Sequence, residues 1–192
     1  MNTALRNNGY IPLTSPYDDA RVVGAIPAGA VDWVYVQLRA TPSGAAVSER
    51  SAFLKSNGYL MDDGGSEKIL MPLPGVSAGN YYIVVRHRNH LAIMSASTHY
   101  LQYSGSTVYD FTDALSKAYG TNPMKLLATG IYGLFTGDAN ASSVVDSTDR
   151  SLTFNDRNRI GYKDADVNLS GVVGAADRGL VFSNRGRVSL VP

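Results

Sequence analysis

The sequence predicts a mainly β domain followed by a small duplicated loop–helix module. Three observations carry this: short β-rich runs broken by Gly, Pro, Asn and Asp over residues 11–110, a change of period at residues 113–128, and an internal repeat in the last third. The chain has 192 residues, 44% of them hydrophobic, enough for one domain of ordinary size with a real core and a small second module.

Within the β region, residues 31–39 alternate clearly. Trp33, Tyr35 and Gln37 share one face, Val34, Val36 and Leu38 the other, and the aliphatic face is expected to point into the core. Further runs at 21–26, 51–60, 68–73, 81–87, 91–97 and 107–111 bring the count to about seven strands, which suits an immunoglobulin-like β-sandwich. Ahead of it, residues 1–17 are polar and then apolar, punctuated by Pro12 and Pro16, and read as an N-terminal extension and candidate inter-subunit strand. The sandwich is assigned to 18–112.

Residues 113–136 then read as a linker with short helices or turns. Ala114, Leu115 and Ala118 are followed, across 120–123, by Met124, Leu126, Leu127 and Ala128. Ile131, Tyr132, Leu134 and Phe135 close the linker and are expected to pack against the last module, 137–192.

Laid over each other at an offset of 28 residues, 138–159 and 166–187 are identical at 11 of 22 positions. Calcium takes about six to eight hard oxygen ligands, and a twelve-residue EF-hand-type loop supplies them from positions 1, 3, 5, 7, 9 and 12. In the first copy these are Asp138, Asn140, Ser142, the Val144 carbonyl, Asp146 and Asp149. The second copy offers Asp166, Asn168, Ser170, the Val172 carbonyl and Asp177, with Gly174 at position 9, where a water has to substitute. Position 6 requires a sharp turn that glycine makes without strain; Gly171 meets this and Ser143 does not. Two calcium sites of unequal affinity are therefore expected, charge favouring the first and turn geometry the second.

These two copies of Asp-x-Asn-x-Ser-x-Val, each closed by Asp at position 12 and followed by an apolar helix candidate, resemble type I dockerins over residues 137–187. The resemblance implies a dockerin-like double EF-hand-type module of paired loop–helix units, each coordinating calcium. It also implies docking of a protein partner such as a cohesin through loop positions 10 and 11 and the helices. Those positions are Ser147 and Thr148 in the first copy but Ala175 and Ala176 in the second, so the two faces are not equivalent. The segments 31–39 and 79–95 resemble, less specifically, sandwiches that precede such repeats in secreted bacterial surface proteins.

Composition narrows the alternatives. With 17 basic and 16 acidic residues and no polybasic run, nucleic acid is not an expected partner. Cysteine is absent, which removes disulfides and thiolate metal sites and leaves oxygen ligands. No apolar run is long enough to cross about 30 Å of hydrocarbon as a helix. Residues 1–8 lack the basic start and apolar stretch of a secretory leader, so the compartment is read from the site chemistry instead.

Catalysis finds no positive support. His87, His90 and His99 lack the spacing of zinc motifs and read as a polar turn and its surroundings. Arg86 and Arg88 are either surface cations or buried partners for Asp32. Glu49, Asp62, Asp63 and Glu67 read as turn carboxylates, and no nucleophile elbow or phosphate loop is present.

The twelve tyrosines speak for binding or assembly, with Tyr10, Tyr17, Tyr35, Tyr59, Tyr100 and Tyr103 as exposed candidates. The expected function is an extracellular calcium-binding structural protein of the bacterial cell surface. It is read as a self-assembling filament or surface-layer subunit that binds itself or another surface protein. The alternative is a sandwich that holds a polysaccharide on Trp33 and Tyr35, carried with a dockerin-type docking module.

Overall fold

The computed structural model of the chain describes residues 1–71, 77–104 and 108–192. Its elements are a one-turn helix α1 (Ala4–Asn7), strands β1 (Ala30–Arg39), β2 (Ala46–Lys55), β3 (Leu60–Met61), β4 (Gly79–His87), β5 (His90–Met94) and β6 (His99–Leu101), a 3-10 turn at Leu115–Lys117, strands β7 (Lys125–Ala128) and β8 (Ile131–Gly133), and helices α2 (Ser147–Asn155) and α3 (Ala175–Asn184). The fold is mainly β, with antiparallel sheets and few helices.

The main sheet runs β3-β2-β1-β4-β5, with β6 pairing β4. Register lines up Trp33, Phe53 and Met61 across one face, and Val36, Val85 and Ile93 across the other. Alternation in β1 would leave one of these faces wet, yet both are buried.

The physical reason is that the sheet is a middle layer. The Trp33 face is covered by the N-terminal segment: Leu5, Ile11 and Val23 pack with Trp33, Phe53 and Met61, and the Trp33 indole N–H donates to the Pro12 carbonyl at 2.9 Å. The opposite face, with Val34, Ala52, Val85 and Ile93, is covered by Ala118 and Met124 and by Phe111, Leu115, Tyr132 and Leu134. Facing this sheet is no second sheet of similar size among the described residues, only the β7–β8 ribbon and irregular chain.

Two expectations are corrected here. The extension 1–17, read as an inter-subunit strand, is folded onto its own chain, with Leu5 fully enclosed. Enclosing a leucine is worth about 1.5–3 kcal/mol, which an edge waiting for a neighbour would forgo. The linker stretch at 124–128, read as helical, forms β7 instead, because Gly130 at φ +70° turns the chain back so that Leu126 pairs with Tyr132.

Other runs fare unevenly. The runs at 81–87 and 91–97 become β4 and β5, whereas 21–26 contributes only an isolated bridge from Val22 to Thr14. The runs 68–73 and 107–111 extend partly outside the described residues, and their described parts are not strands.

The last third is a pair of loop–helix units. Their apolar faces meet in a third cluster of Ala139, Val145, Val167 and Val181 with Leu91 and Phe135. Each loop pairs with the chain that follows the other unit's helix: Val144 bridges Val188, and Ile160 bridges Val172. The 28-residue offset thus appears in space as two interlocked copies.

Candidate metal centre

Each loop is built around two buried aspartates that accept backbone N–H groups, and the copies match bond for bond. In the first, Asp138 Oδ1 accepts from the Ser142 amide at 2.8 Å and Oδ2 from Ser143 at 2.9 Å. In the second, Asp166 Oδ1 accepts from Ser170 at 3.0 Å and Oδ2 from Gly171 at 2.7 Å. The closing aspartates repeat the pattern. Asp149 accepts from Asn140 at 3.2 Å and Asp146 at 2.8 Å, and Asp177 accepts from Asn168 at 3.0 Å and Gly174 at 2.7 Å.

Ser142 and Ser170 donate to the Val144 and Val172 carbonyls at 3.1 and 3.0 Å, which brings the position 5 and position 7 oxygens of each loop side by side. The side-chain oxygens of Asn140 and Asn168 accept from the same serine amides at 3.1 and 2.9 Å. Both loops hold the backbone left-handed at equivalent places, Ala141 and Leu169 at φ +54° and +60°, Ser143 and Gly171 at +71° and +86°. Ser143 therefore sits in the strained conformation that Gly171 accepts freely.

Asp138, Asp149, Asp166 and Asp177 are all buried, and among the described residues none forms an ion pair. Burial, with the charge of Asp149 adding to it, pushes the Asp138 carboxyl above its ordinary value; burial and Asp177 do the same at Asp166. Two enclosed like charges facing each other are costly unless a cation joins them.

The remaining donors are amide, hydroxyl and carbonyl oxygens, the inventory that a hard divalent cation prefers. The residues present thus fit calcium. No group of three or more His, Cys, Asp or Glu side chains poised for a metal occurs among the described residues, so the three carboxylates assigned to the first loop, Asp138, Asp146 and Asp149, do not gather on one point. Asp146, placed at position 9 from sequence, caps α2 by accepting from the Thr148 amide at 2.7 Å.

Of the positions expected from sequence to dock a partner, Ser147 and Thr148 are exposed in the first turn of α2, and Ala175 and Ala176 in that of α3. Trp33 and Tyr35 do not form an exposed platform. Trp33 is fully enclosed against Phe53, and Tyr35 is buried and stacked on Tyr17 with ring centroids 5.2 Å apart. This corrects the exposed face expected for a polysaccharide, since the N-terminal segment covers the Trp33 side of the sheet. Of the tyrosines expected outside, Tyr59, Tyr100 and Tyr103 are exposed, while Tyr10 and Tyr17 are half-buried.

Beneath the loops lies a polar junction with the β domain. At the β4–β5 turn, Arg88 Nε meets Asp32 Oδ2 at 2.9 Å, Tyr162 donates to Asp32 Oδ1 at 2.7 Å, and the Arg88 guanidinium lies over the Tyr162 ring at 4.1 Å. Of the two roles open to Arg88, that of buried partner is the one observed. His87 Nε2 lies 3.2 Å from the same Asp32 oxygen, and burial followed by neighbouring His87 keeps His90 well below the usual histidine range.

Comparisons with known proteins add little to this geometry. No family model and no curated protein matches the chain. Among the solved structures similar to it are two mutants of one complex. One is an N-terminal interface mutant of a type II cohesin–X-dockerin complex from Acetivibrio cellulolyticus, at 18% identity and TM-score 0.44. The other is a C-terminal interface mutant of that complex, at 19% identity and TM-score 0.43. In each case 81% of this chain and 82% of the other are covered.

Asn89 and Thr136 were not singled out from sequence. The Asn89 side chain donates to the Asp164 and Asp166 carbonyls at 3.0 and 2.9 Å, and the Thr136 hydroxyl to the Val167 carbonyl at 2.6 Å. Nothing local announces them, because an asparagine in a tight turn is ordinary on its own.

Proposed function

We propose that the chain is a non-catalytic extracellular assembly protein whose last third is a dockerin-like pair of calcium sites. The observation that supports this best is the matched pair of enclosed, unneutralised carboxylates, Asp138 with Asp149 and Asp166 with Asp177, each ringed by neutral oxygen donors. Calcium supplies the missing positive charge and, by drawing each loop onto one centre, fixes α2 and α3 for display. Asp138, Asn140, Ser142, the Val144 carbonyl and Asp149 hold the first ion. Asp166, Asn168, Ser170, the Val172 carbonyl and Asp177 hold the second.

Metal here is a folding device, since extracellular calcium fills sites even at about 10⁻⁴–10⁻³ M affinity. The display surface is the exposed first turn of α2, where Ser147 and Thr148 offer hydroxyls, together with Phe154 further along the same helix. A protein partner, either a receptor domain or another copy of the chain, is the occupant this reading calls for. Among the described residues no helix is long and apolar enough to cross a membrane.

The test is molar mass by light scattering, alone and with candidate receptor domains, in calcium and in chelator. Complexes that form in calcium, dissolve on chelation and weaken in Ser147→Ala with Thr148→Ala support the reading. Assembly indifferent to chelation removes calcium from it, and a chain that stays solitary with every candidate removes docking.

A further inference from the structure

We infer, on the calcium reading above, that side-chain hydrogen bonds from the β4–β5 turn and the end of the linker template the second loop alone, with Asn89 and Thr136 as positioning residues that make Asp166–Asp177 the tighter and more persistent site. The repeat provides its own internal control, because residues 28 apart occupy equivalent places in two loops of matching backbone shape.

At loop position 1, the Asp166 carbonyl accepts from the Asn89 side chain at 2.9 Å. At position 2, the Val167 carbonyl accepts from the Thr136 hydroxyl at 2.6 Å. Among the described residues, no side chain of the β domain donates to the equivalent carbonyls of Asp138 and Ala139. At position 4, Leu169 is sunk into the cluster of Leu5, Ile11 and Trp33, whereas its counterpart Ala141 is exposed. Position 6 repeats the contrast: Gly171 is buried so closely under Tyr10 that a Cβ there would meet the ring at 3.0 Å, while Ser143 is half-exposed. The first loop's tie to the turn is a backbone bond, from the Gly137 amide to the Asn89 carbonyl at 3.0 Å, which no change of the Asn89 side chain removes.

A loop held from outside has already lost the freedom that metal binding would otherwise have to take from it, so more of the metal's interaction energy appears as affinity. The first loop carries an extra carboxylate at Asp146, but that group is engaged in capping α2. Template therefore outweighs charge, and the second site fills first and empties last. Chelation releases the first loop while the second stays ordered against the β domain.

Calcium titration calorimetry on single-site chains tests this. Asp138→Ala leaves the second loop and Asp166→Ala the first; each is combined with Asn89→Ala or with the near-isosteric Thr136→Val. The second loop should bind about tenfold tighter than the first, the equivalent of one or two extra net hydrogen bonds that hold it in place before the metal arrives. Either substitution should weaken the second loop about tenfold and leave the first within about twofold, while Thr136→Ser keeps the affinity. Amide exchange in chelator gives an independent readout: Ser170 and Gly171 should stay protected in the unaltered chain and lose protection with Thr136→Val, while Ser142 and Ser143 exchange freely in both. Equal affinities, or equal losses in both loops, would overturn the template while leaving the calcium reading intact. No calcium uptake by the unaltered chain would remove both.

Discussion

Arg88 Nε lies 2.9 Å from Asp32 Oδ2, with Asp32 fully enclosed and Arg88 nearly so. Strand β1 supplies the anion, the β4–β5 turn supplies the cation, and Tyr162, between the two repeated loops, closes the group from above. An enclosed pair is weak evidence of net stabilisation, but breaking it is expensive because one charge is stranded. Asp32→Asn should therefore destabilise the chain by about 3–5 kcal/mol in urea unfolding. Replacing both partners, Asp32→Leu with Arg88→Met, should cost less than that single change.

The same pair sets an acid limit. Burial opposes ionisation of Asp32, but the Arg88 charge, then His87 and the Tyr162 hydroxyl, outweigh it and bring the carboxyl down to about 2 from the ordinary 3.8. A group whose value is lower folded than unfolded stabilises the fold above the unfolded value and loses that contribution as pH falls through the folded one. Unfolding free energy should thus decline between about pH 4 and about pH 2, by an amount on the order of 2 kcal/mol from this group. Urea titrations across that window should show a shallower decline in Asp32→Asn.

The N-terminal segment should behave as core. Leu5 is fully enclosed beside Trp33, so Leu5→Ala should cost about 2–5 kcal/mol and lower the thermal midpoint. Trp33 fluorescence reports the same packing directly. Removal of residues 1–12 should shift its emission to the red, an effect that a spare strand awaiting a neighbour would not produce.

Gly171 and Ser143 make opposite predictions from one backbone geometry. With φ at +86° and the Tyr10 ring above it, Gly171→Ala should cost about 1–2 kcal/mol, partly from the left-handed backbone and partly from the close contact. Ser143, at φ +71° and without that ceiling, should tolerate glycine with little loss or a slight gain in thermal midpoint.

The duplicated loop was legible because its message is local. Spacing within twelve residues places Asp149 and Asp177 against the amides of Asn140 and Asn168, so the matched loop–helix units could be read from the repeat. The β character was legible for the same reason, through the alternation in residues 31–39.

What covers each face is a long-range question. Alternation separates Trp33 from Val34 but does not say that Leu5 and Ile11 will return over Trp33. Likewise Asn89 gains its role only when Asp166, far along the chain, is placed beside it. In 124–128 the apolar spacing suited either period, and the glycine turn at 130 decided for a hairpin.

The most direct measurement is calcium uptake by the chelated chain, followed by titration calorimetry with the thermal midpoint recorded alongside. The account predicts about two ions per chain, a rise in midpoint on loading, and loss of about one ion in each of Asp138→Ala and Asp166→Ala. A chain that takes up no calcium, or whose midpoint is the same in calcium and in chelator, would contradict it.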